Sequence, residues 1–314
     1  MIGNSVKKGL LVGLKTTWTL GKVIFPVTLI VSVLQYTPVL QWIIDFIAPF
    51  MNMIGLSGEA AIPLVLGNFL NLYAGIAGIL TLDLSVKEVF IIAIMLSFSH
   101  NLFIESGVAA KVGVKLWTIL TVRIGLALLA AVIINLVWQG GSELAKYGFV
   151  SPETAEINGV WAILLNGLER AASGVLQLAL IVIPLMIIMQ IMKDLKWLDA
   201  MSKVLAPFTK VLGMKPNTSM TMVAGLTIGL AYGAGVMIQA AKEDNVSKKD
   251  MTLAFIFLVA CHAVVEDTLI FIPLGIPVWP LLVIRLTTAI LLTMIIGFIW
   301  NRSEFTQRKE AYEQ

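Results

Sequence analysis

The 314 residues are 58% hydrophobic and only 13% charged, against about 25% charged in soluble domains, which excludes a water-soluble globular protein. A formal net charge of +3 says little until its distribution is known. The single Cys261 excludes an internal disulfide framework and gives no metal-site pattern.

The basic start "MIGNSVKKG" leads into an apolar run over Val23–Tyr36, extended upstream by Thr16–Leu20. No small-residue cleavage site follows it, so it reads as a retained first span. Residues 38–53, carrying Trp42, read as an interfacial amphipathic helix. Gly58–Leu80 is rich in Gly, Asn and Tyr, which suits a broken, re-entrant helix lining a cavity better than one facing lipid. Val89–Ile104 and Leu116–Trp138 approach or exceed the roughly 20 residues a spanning helix needs. An acidic connector occupies 141–167. The order then returns: Gly174–Met192 as a span, 195–211 with Trp197 as an amphipathic helix, Pro216–Ala241 as a Gly-rich segment, and Met251–Ile272 and Trp279–Trp300 as spans. No strand alternation occurs, so a membrane barrel is excluded and the class is all-α.

The second set is a copy of the first. Sliding the chain along itself brings Phe25 and Pro26 onto Ile183 and Pro184, "APF" at 48–50 onto "APF" at 206–208, and Gly55, Gly67 and Gly75 onto Gly213, Gly225 and Gly233. After a small slip, Ser85 falls on Ser247, His100 on His262, Glu105 on Asp267, Trp117 on Trp279 and Arg123 on Arg285. The expected organisation is a first repeat over 1–140, a connector over 141–167 outside the cytoplasm, a second repeat over 168–301 and a tail over 302–314.

Charge bias orients the copies. Lys7, Lys8, Lys15 and Lys22 precede the first span, whereas the acidic Glu143, Glu153, Glu156 and Glu169 dominate before its counterpart. Residues 37–57 hold no Lys or Arg, while 193–215 hold five lysines. Since cytoplasmic loops are enriched in Lys and Arg, matching segments face opposite sides. The reading is an inverted repeat in a multi-pass protein of the cytoplasmic membrane, with both termini cytoplasmic. Inversion needs an odd number of crossings, so each half has three spans plus a re-entrant segment and an interfacial helix.

Ionisable residues inside spans are costly and face a cavity, a partner or a pathway. The only two histidines, in "SHNLFIES" and "CHAVVEDT", each precede an acid in an apolar run. His262 and Glu266, four apart, are expected on one helix face with Asp267 adjacent. His100 and Glu105, five apart, share a face only if the helix breaks between them; Asn101 adds hydrogen-bonding capacity. An imidazole beside an acid either holds two helices together or exchanges a proton near neutral pH. Arg123 and Arg285 either bind an anion or pair with acids such as Glu105, Asp267 or Glu59. Asn68, Asn71, Tyr73, Tyr232 and Gln239 offer neutral hydrogen bonds along the re-entrant segments.

The runs "GLSGEAAIPLVLGNFLNLYAG", "SHNLFIES" and "CHAVVEDT" resemble the Gate, or nucleoside-recognition, domain. That domain occurs in bacterial nucleoside-recognition proteins, sporulation maturation membrane proteins and the membrane part of ferrous-iron transport protein B. Nearly the whole chain looks like two fused Gate domains. The copies depart from each other where Glu59 and Pro63 become Asn217 and Thr221. The iron transporter's nucleotide-binding domain is absent, and no G-x-x-x-x-G-K-[ST] loop occurs.

The expectation is a secondary transporter of a small polar solute with its site where the repeats meet. A nucleoside or nucleobase follows from the family's name, and a small organic anion from the arginines. A divalent-metal transporter and a non-transporting structural or partner-binding membrane protein are the alternatives. No enzyme is expected, because no nucleophile–base set, H-E-x-x-H helix or phosphate loop is present. No cofactor or metal site is expected beyond a coupling H+ or Na+. The expected partners are a small-molecule substrate and the lipid bilayer, with no nucleic acid and a homo-oligomer left open.

Overall fold

The fold is carried by fourteen α-helices, seen in a computed structural model that describes residues 2–34, 36–147, 159–195 and 197–313. In the first repeat these are α1 (Ile2–Leu34), α2 (Pro38–Asn52), α3 (Ala61–Phe69), α4 (Leu72–Leu80), α5 (Val86–Ser99), α6 (Leu102–Lys111) and α7 (Leu116–Val137). In the second they are α8 (Val160–Asp194), α9 (Trp197–Val211), α10 (Ser219–Ile228), α11 (Leu230–Glu243), α12 (Lys248–Ala260), α13 (Glu266–Leu269) and α14 (Val278–Glu313). Among the described residues there is no strand, only an isolated bridge between Ser85 and Leu144.

The chain divides into two compact units that exchange parts of the repeats. One comprises Met1–Leu102, Leu126–Asp194 and Glu266–Leu281, and therefore takes α13 from the second repeat. The other comprises Phe103–Gly125, Leu195–Val265 and Leu282–Gln314, and takes nearly all of α6 from the first.

In the first unit α1 and α8 run antiparallel at close range because glycines remove the side chains between them. A Cβ added at Gly9 would lie 2.5 Å from the Ile187 Cα, and one at Gly13 would lie 2.9 Å from the Ile183 Cα. Small residues permit such backbone approach where no water drives helices together. Both helices are longer than the apolar runs at their centres, and α8 starts at Val160, inside the stretch expected to be connector.

The Gly-rich segments are helical hairpins. In the first unit α3 ends at Phe69, and Asn71 in extended conformation caps α4 by accepting from the Ala74 N–H at 3.0 Å. The two short helices fold back on each other, since a Cβ at Gly75 would meet the Gly67 Cα at 3.0 Å and one at Gly78 the Pro63 Cα at 3.0 Å. In the second unit α10 and α11 do the same across Gly229, whose φ of +88° lies where only glycine is at ease.

Among the described residues, three stretches are long and apolar enough to cross a membrane: Val86–Lys111, Leu116–Val137 and Val278–Ser303. The most apolar window of the first is 78% buried, against 28% and 22% for the other two, so it lies inside while the others present most of their surface outward. Along α7 the buried stripe is Ile119, Arg123, Ala127 and Ala131, recurring every fourth residue. Along α14 the same stripe is Leu281, Arg285, Ala289 and Thr293. Both arginines therefore sit on the buried line of an apolar stretch, Leu116–Val137 or Val278–Ser303.

Helix α5 begins in a closed setting. Ser85 and Glu88 form a capping box, and the backbone of residues 141–145 crosses the helix start. The Val86 N–H donates to the Glu143 carbonyl and the Lys87 N–H to the Gly141 carbonyl, both at 2.9 Å. This strap satisfies first-turn donors that a helix leaves without partners. Tyr147 anchors its far end, accepting from the Leu84 N–H at 3.4 Å, and burial pushes its phenol above the usual tyrosine range.

Candidate functional site

Each repeat breaks its central helix at the histidine. Helix α5 ends at Ser99, His100 takes an extended ψ of 156°, and Asn101 follows at φ +50°. The Asn101 N–H then donates to the Gly67 carbonyl at 2.8 Å, docking the break onto the α3 side of its hairpin. The second repeat makes the equivalent bond from the Ala263 N–H to the Gly225 carbonyl at 3.0 Å, and adds Val264 N–H to Leu226 carbonyl at 2.8 Å. Ala263 sits at φ +41°. Backbone freed by a broken helix inside a membrane protein must find partners within the protein. Here the hairpins supply them.

This break overturns one expectation. Met251–Ile272 is not one helix: α12 stops at Ala260 and α13 starts at Glu266, so His262 and Glu266 do not share a helix face. The physical reason is that Ala263 and Val264 bond to the hairpin instead of continuing the helical ladder. In the first repeat the break does fall between His100 and Glu105.

Beyond the breaks, side chains pair across the repeats. In the second unit, Glu105 of the first repeat accepts from Arg123 Nη2 at 2.9 Å and lies 3.3 Å from Nε2 of His262 of the second. Arg285 Nη2 donates to the His262 carbonyl at 2.7 Å. All four are buried, with both arginines 0% exposed. In the first unit, Glu266 of the second repeat accepts a short hydrogen bond from the Tyr73 hydroxyl of the first. Asp267 and His100 there bring a carboxylate oxygen and a ring nitrogen within 4.8 Å. Glu105 and His262 thus set an acid of one repeat beside the histidine of the other.

Each imidazole is oriented by its own helix. His100 Nδ1 meets the Leu96 carbonyl at 2.6 Å and His262 Nδ1 meets the Leu258 carbonyl at 2.8 Å. A carbonyl only accepts, so Nδ1 carries the hydrogen in both rings and Nε2 is left for the acid. The hydroxyls of Ser106 and Thr268, next to the acids at equivalent repeat positions, are buried without a partner among the described residues. Both stand in the matching acid–hydroxyl dipeptides, where the sequence already credits them with hydrogen-bonding capacity.

The other candidates are dispersed. Asn68 donates to the Leu64 carbonyl of its own helix, and Asn71 serves as the α4 cap. Gln239 is exposed and pairs with Glu243 on α11. Glu59 sits in the turn before α3 in the field of Asp83 and Glu88. The side chain of Tyr232 lies outside the described residues. In the first unit Tyr73, His100, Glu266 and Asp267 lie at or beside a break, and in the second unit Glu105, Arg123, His262 and Arg285 do.

The Gate family, described as nucleoside recognition, matches residues 17–115 and again 175–277. An uncharacterized membrane protein of Bacillus subtilis (strain 168), YvoD, is 68% identical over 294 residues, covering 94% of each chain. A solved structure of a CNTnw variant in its intermediate 2 state is 14% identical over 88% of this chain and 74% of that one, with a TM-score of 0.44, a likeness too distant to define the fold. With two matched regions, apolar spanning helices and a relative this similar, the chain is a membrane protein that belongs to the Gate family.

Proposed function

We propose that the chain is a secondary transporter of a small polar solute in the cytoplasmic membrane, built as two inverted Gate repeats. Each repeat contributes three spans, a re-entrant hairpin (α3–α4 or α10–α11) and an interfacial helix (α2 or α9). The observation that carries the reading is the doubled arrangement of a helix broken at a histidine and docked by its backbone on a hairpin, at Asn101–Gly67 and Ala263–Gly225. Broken helices with buried ionisable groups are the means by which membrane carriers hold polar solutes at mid-depth. The buried Ser106 and Thr268 hydroxyls supply additional hydrogen-bonding capacity beside the acids.

The family's description favours a nucleoside or nucleobase as the solute; a small organic anion is the second class, favoured by Arg123 and Arg285. The apolar faces of α2 (Trp42, Phe46, Phe50) and α9 (Trp197, Val204, Phe208) are exposed, as interfacial helices require. Lysines accompany only α9, consistent with opposite leaflets for the pair.

The test is a thermal-unfolding screen of the purified protein against nucleosides, nucleobases and small carboxylates, with divalent metals alongside. A ligand at a hundred times its Kd stabilises the native state by about 2.7 kcal/mol. A nucleoside shift abolished by His100→Ala or His262→Ala supports the reading. No shift with any compound, and only lower melting in the variants, overturns it in favour of a scaffold.

A further inference from the structure

We propose that α9 and the loop after it form a binding surface for anionic phospholipid, with Lys203, Lys210 and Lys215 meeting the headgroup phosphates. This role requires α9 to be interfacial, as proposed above; it is independent of transport and of the solute. Three lines of residues run along α9, about a third of a turn apart at roughly 3.6 residues per turn. Trp197, Met201, Val204, Phe208 and Val211 form an exposed apolar line. Ser202 and Thr209 face protein: the Ser202 hydroxyl meets that of Ser219 at 2.9 Å, and Thr209 is buried. Lys203 and Lys210 are exposed on the third line. The Thr209 hydroxyl also lies 3.3 Å from the Lys215 carbonyl and donates to it, which holds the exposed Lys215 at the end of the same helix. Packed on protein along one side, α9 offers an apolar line and a cationic line side by side to whatever covers it.

The first repeat supplies the contrast. At the same repeat register, Phe46, Phe50 and Met53 keep the exposed apolar line of Val204, Phe208 and Val211, whereas Asp45, Asn52 and Ser57 stand in place of Lys203, Lys210 and Lys215. Both copies keep the hydrocarbon contact, and one alone carries the positive charge. From Ala200 to Lys242 the chain holds four lysines and no acid. Upstream, Asp194 and Asp199 are matched in sequence by Lys193 and Lys196. Asn217 donates to the Asp244 carbonyl at 2.8 Å, which brings the α11–α12 turn beside the Lys215 loop, but residues 242–250 carry three lysines against three acids. The surplus of positive charge therefore lies on α9 and its loop.

The occupant must present hydrocarbon and negative charge next to each other. A free anion would leave the apolar line uncovered. A phospholipid with an anionic headgroup covers both: its chains lie against the apolar line, and its phosphate meets lysines whose stems follow apolar surface while their ammonium groups stay in the polar layer. Each basic residue near an anionic surface raises the local share of anionic lipid by about fivefold.

Cys261 is buried, so a thiol-reactive fluorophore can be directed to Val204→Cys on α9 or, in a separate protein, to Phe46→Cys on α2. The full chain is placed in nanodiscs of phosphatidylcholine with a low fraction of phosphatidylglycerol, and quenching is compared when one lipid or the other carries brominated chains. The expected result is phosphatidylglycerol enriched about fivefold or more over its bulk share at Val204→Cys and near its bulk share at Phe46→Cys. Lys203→Gln, Lys210→Gln and Lys215→Gln together should return the α9 label to the bulk share, and the three Lys→Arg changes should keep the enrichment. Single Lys203→Gln, with a smaller loss, serves should the triple variant fail to fold. Enrichment absent at Val204→Cys, equal at both labels, or unchanged without the lysines overturns the proposal. Enrichment abolished by inorganic phosphate but not by chloride at equal ionic strength assigns the lysines to free anions and overturns it too. If neither brominated lipid quenches either label, the interfacial placement itself fails, and the lipid surface with it, while transport still stands on its own test.

Discussion

Arg123 and Arg285 occupy equivalent places in the two repeats, on the same buried stripe of equivalent helices, yet they hold different things. Arg123 holds a side chain, the Glu105 carboxylate that follows the first break. Arg285 holds backbone, the His262 carbonyl within the second break. The breaks differ in the same sense. Only His100 and Asn101 separate α5 from the ten-residue α6, whereas 261–265 separate α12 from a four-residue α13. Their helix starts differ too: α5 is crossed by the 141–145 strap, while among the described residues no backbone from elsewhere crosses the start of α12. A duplicated chain has kept one equivalent docking bond in each half and diverged around it, leaving the second break longer and the second helix start without a strap among the described residues.

The largest test of that contrast is removal of the arginines. Arg123→Met leaves the Glu105 charge buried without its partner, and thermal unfolding in detergent should show a loss on the order of 3–5 kcal/mol. Arg285→Met gives up a donor to a carbonyl and should cost less, about 1–3 kcal/mol; equal losses would mean the two arginines do the same work.

Next come the hairpin tips, where the repeats use different residues at equivalent positions. Gly229→Ala forces a side chain onto φ +88° and places its Cβ 3.2 Å from that of Ala263, for an expected cost of about 1–3 kcal/mol. Asn71→Ala removes only a cap, about 1 kcal/mol. If thermal unfolding ranks these in the reverse order, the second tip is not the strained one.

Hydrogen exchange followed by mass spectrometry should find the Val86 and Lys87 amides slower than those of Lys248 and Lys249 by about tenfold or more, since one strap bond is worth about 1 kcal/mol or more. Similar rates at the two starts would remove the strap from the comparison. The smallest effects belong to the caps. Ser85→Ala and Ser247→Ala should each cost about 1 kcal/mol, with Ser247 the more sensitive because its helix start lacks a strap.

Much of this was legible in the residues. The duplication shows in Gly67 and Gly225 because each must clear the same neighbour, Leu96 or Leu258. The hairpins were legible in their Gly-rich composition, since polar and flexible residues are unwelcome in lipid. The second break was not, because no Gly or Pro interrupts Met251–Ile272 and Ala263 carries no mark of its positive φ; only the hairpin carbonyls that bind it explain the stop. Spacing also could not show that Glu105 meets His262. Partners along a sequence are found by helical periodicity, and this pair is made by the fold bringing one repeat to the other.

The crossed pairing bears on how the chain is made. Ribosomes deliver the first repeat before the second exists, so Glu105 is inserted long before His262 has been translated. Arg123 is already present, on the next helix of the same repeat, and answers that charge in the meantime. The nascent first half can therefore be tolerated by the bilayer, and the arrival of His262 completes an acid that was held in waiting.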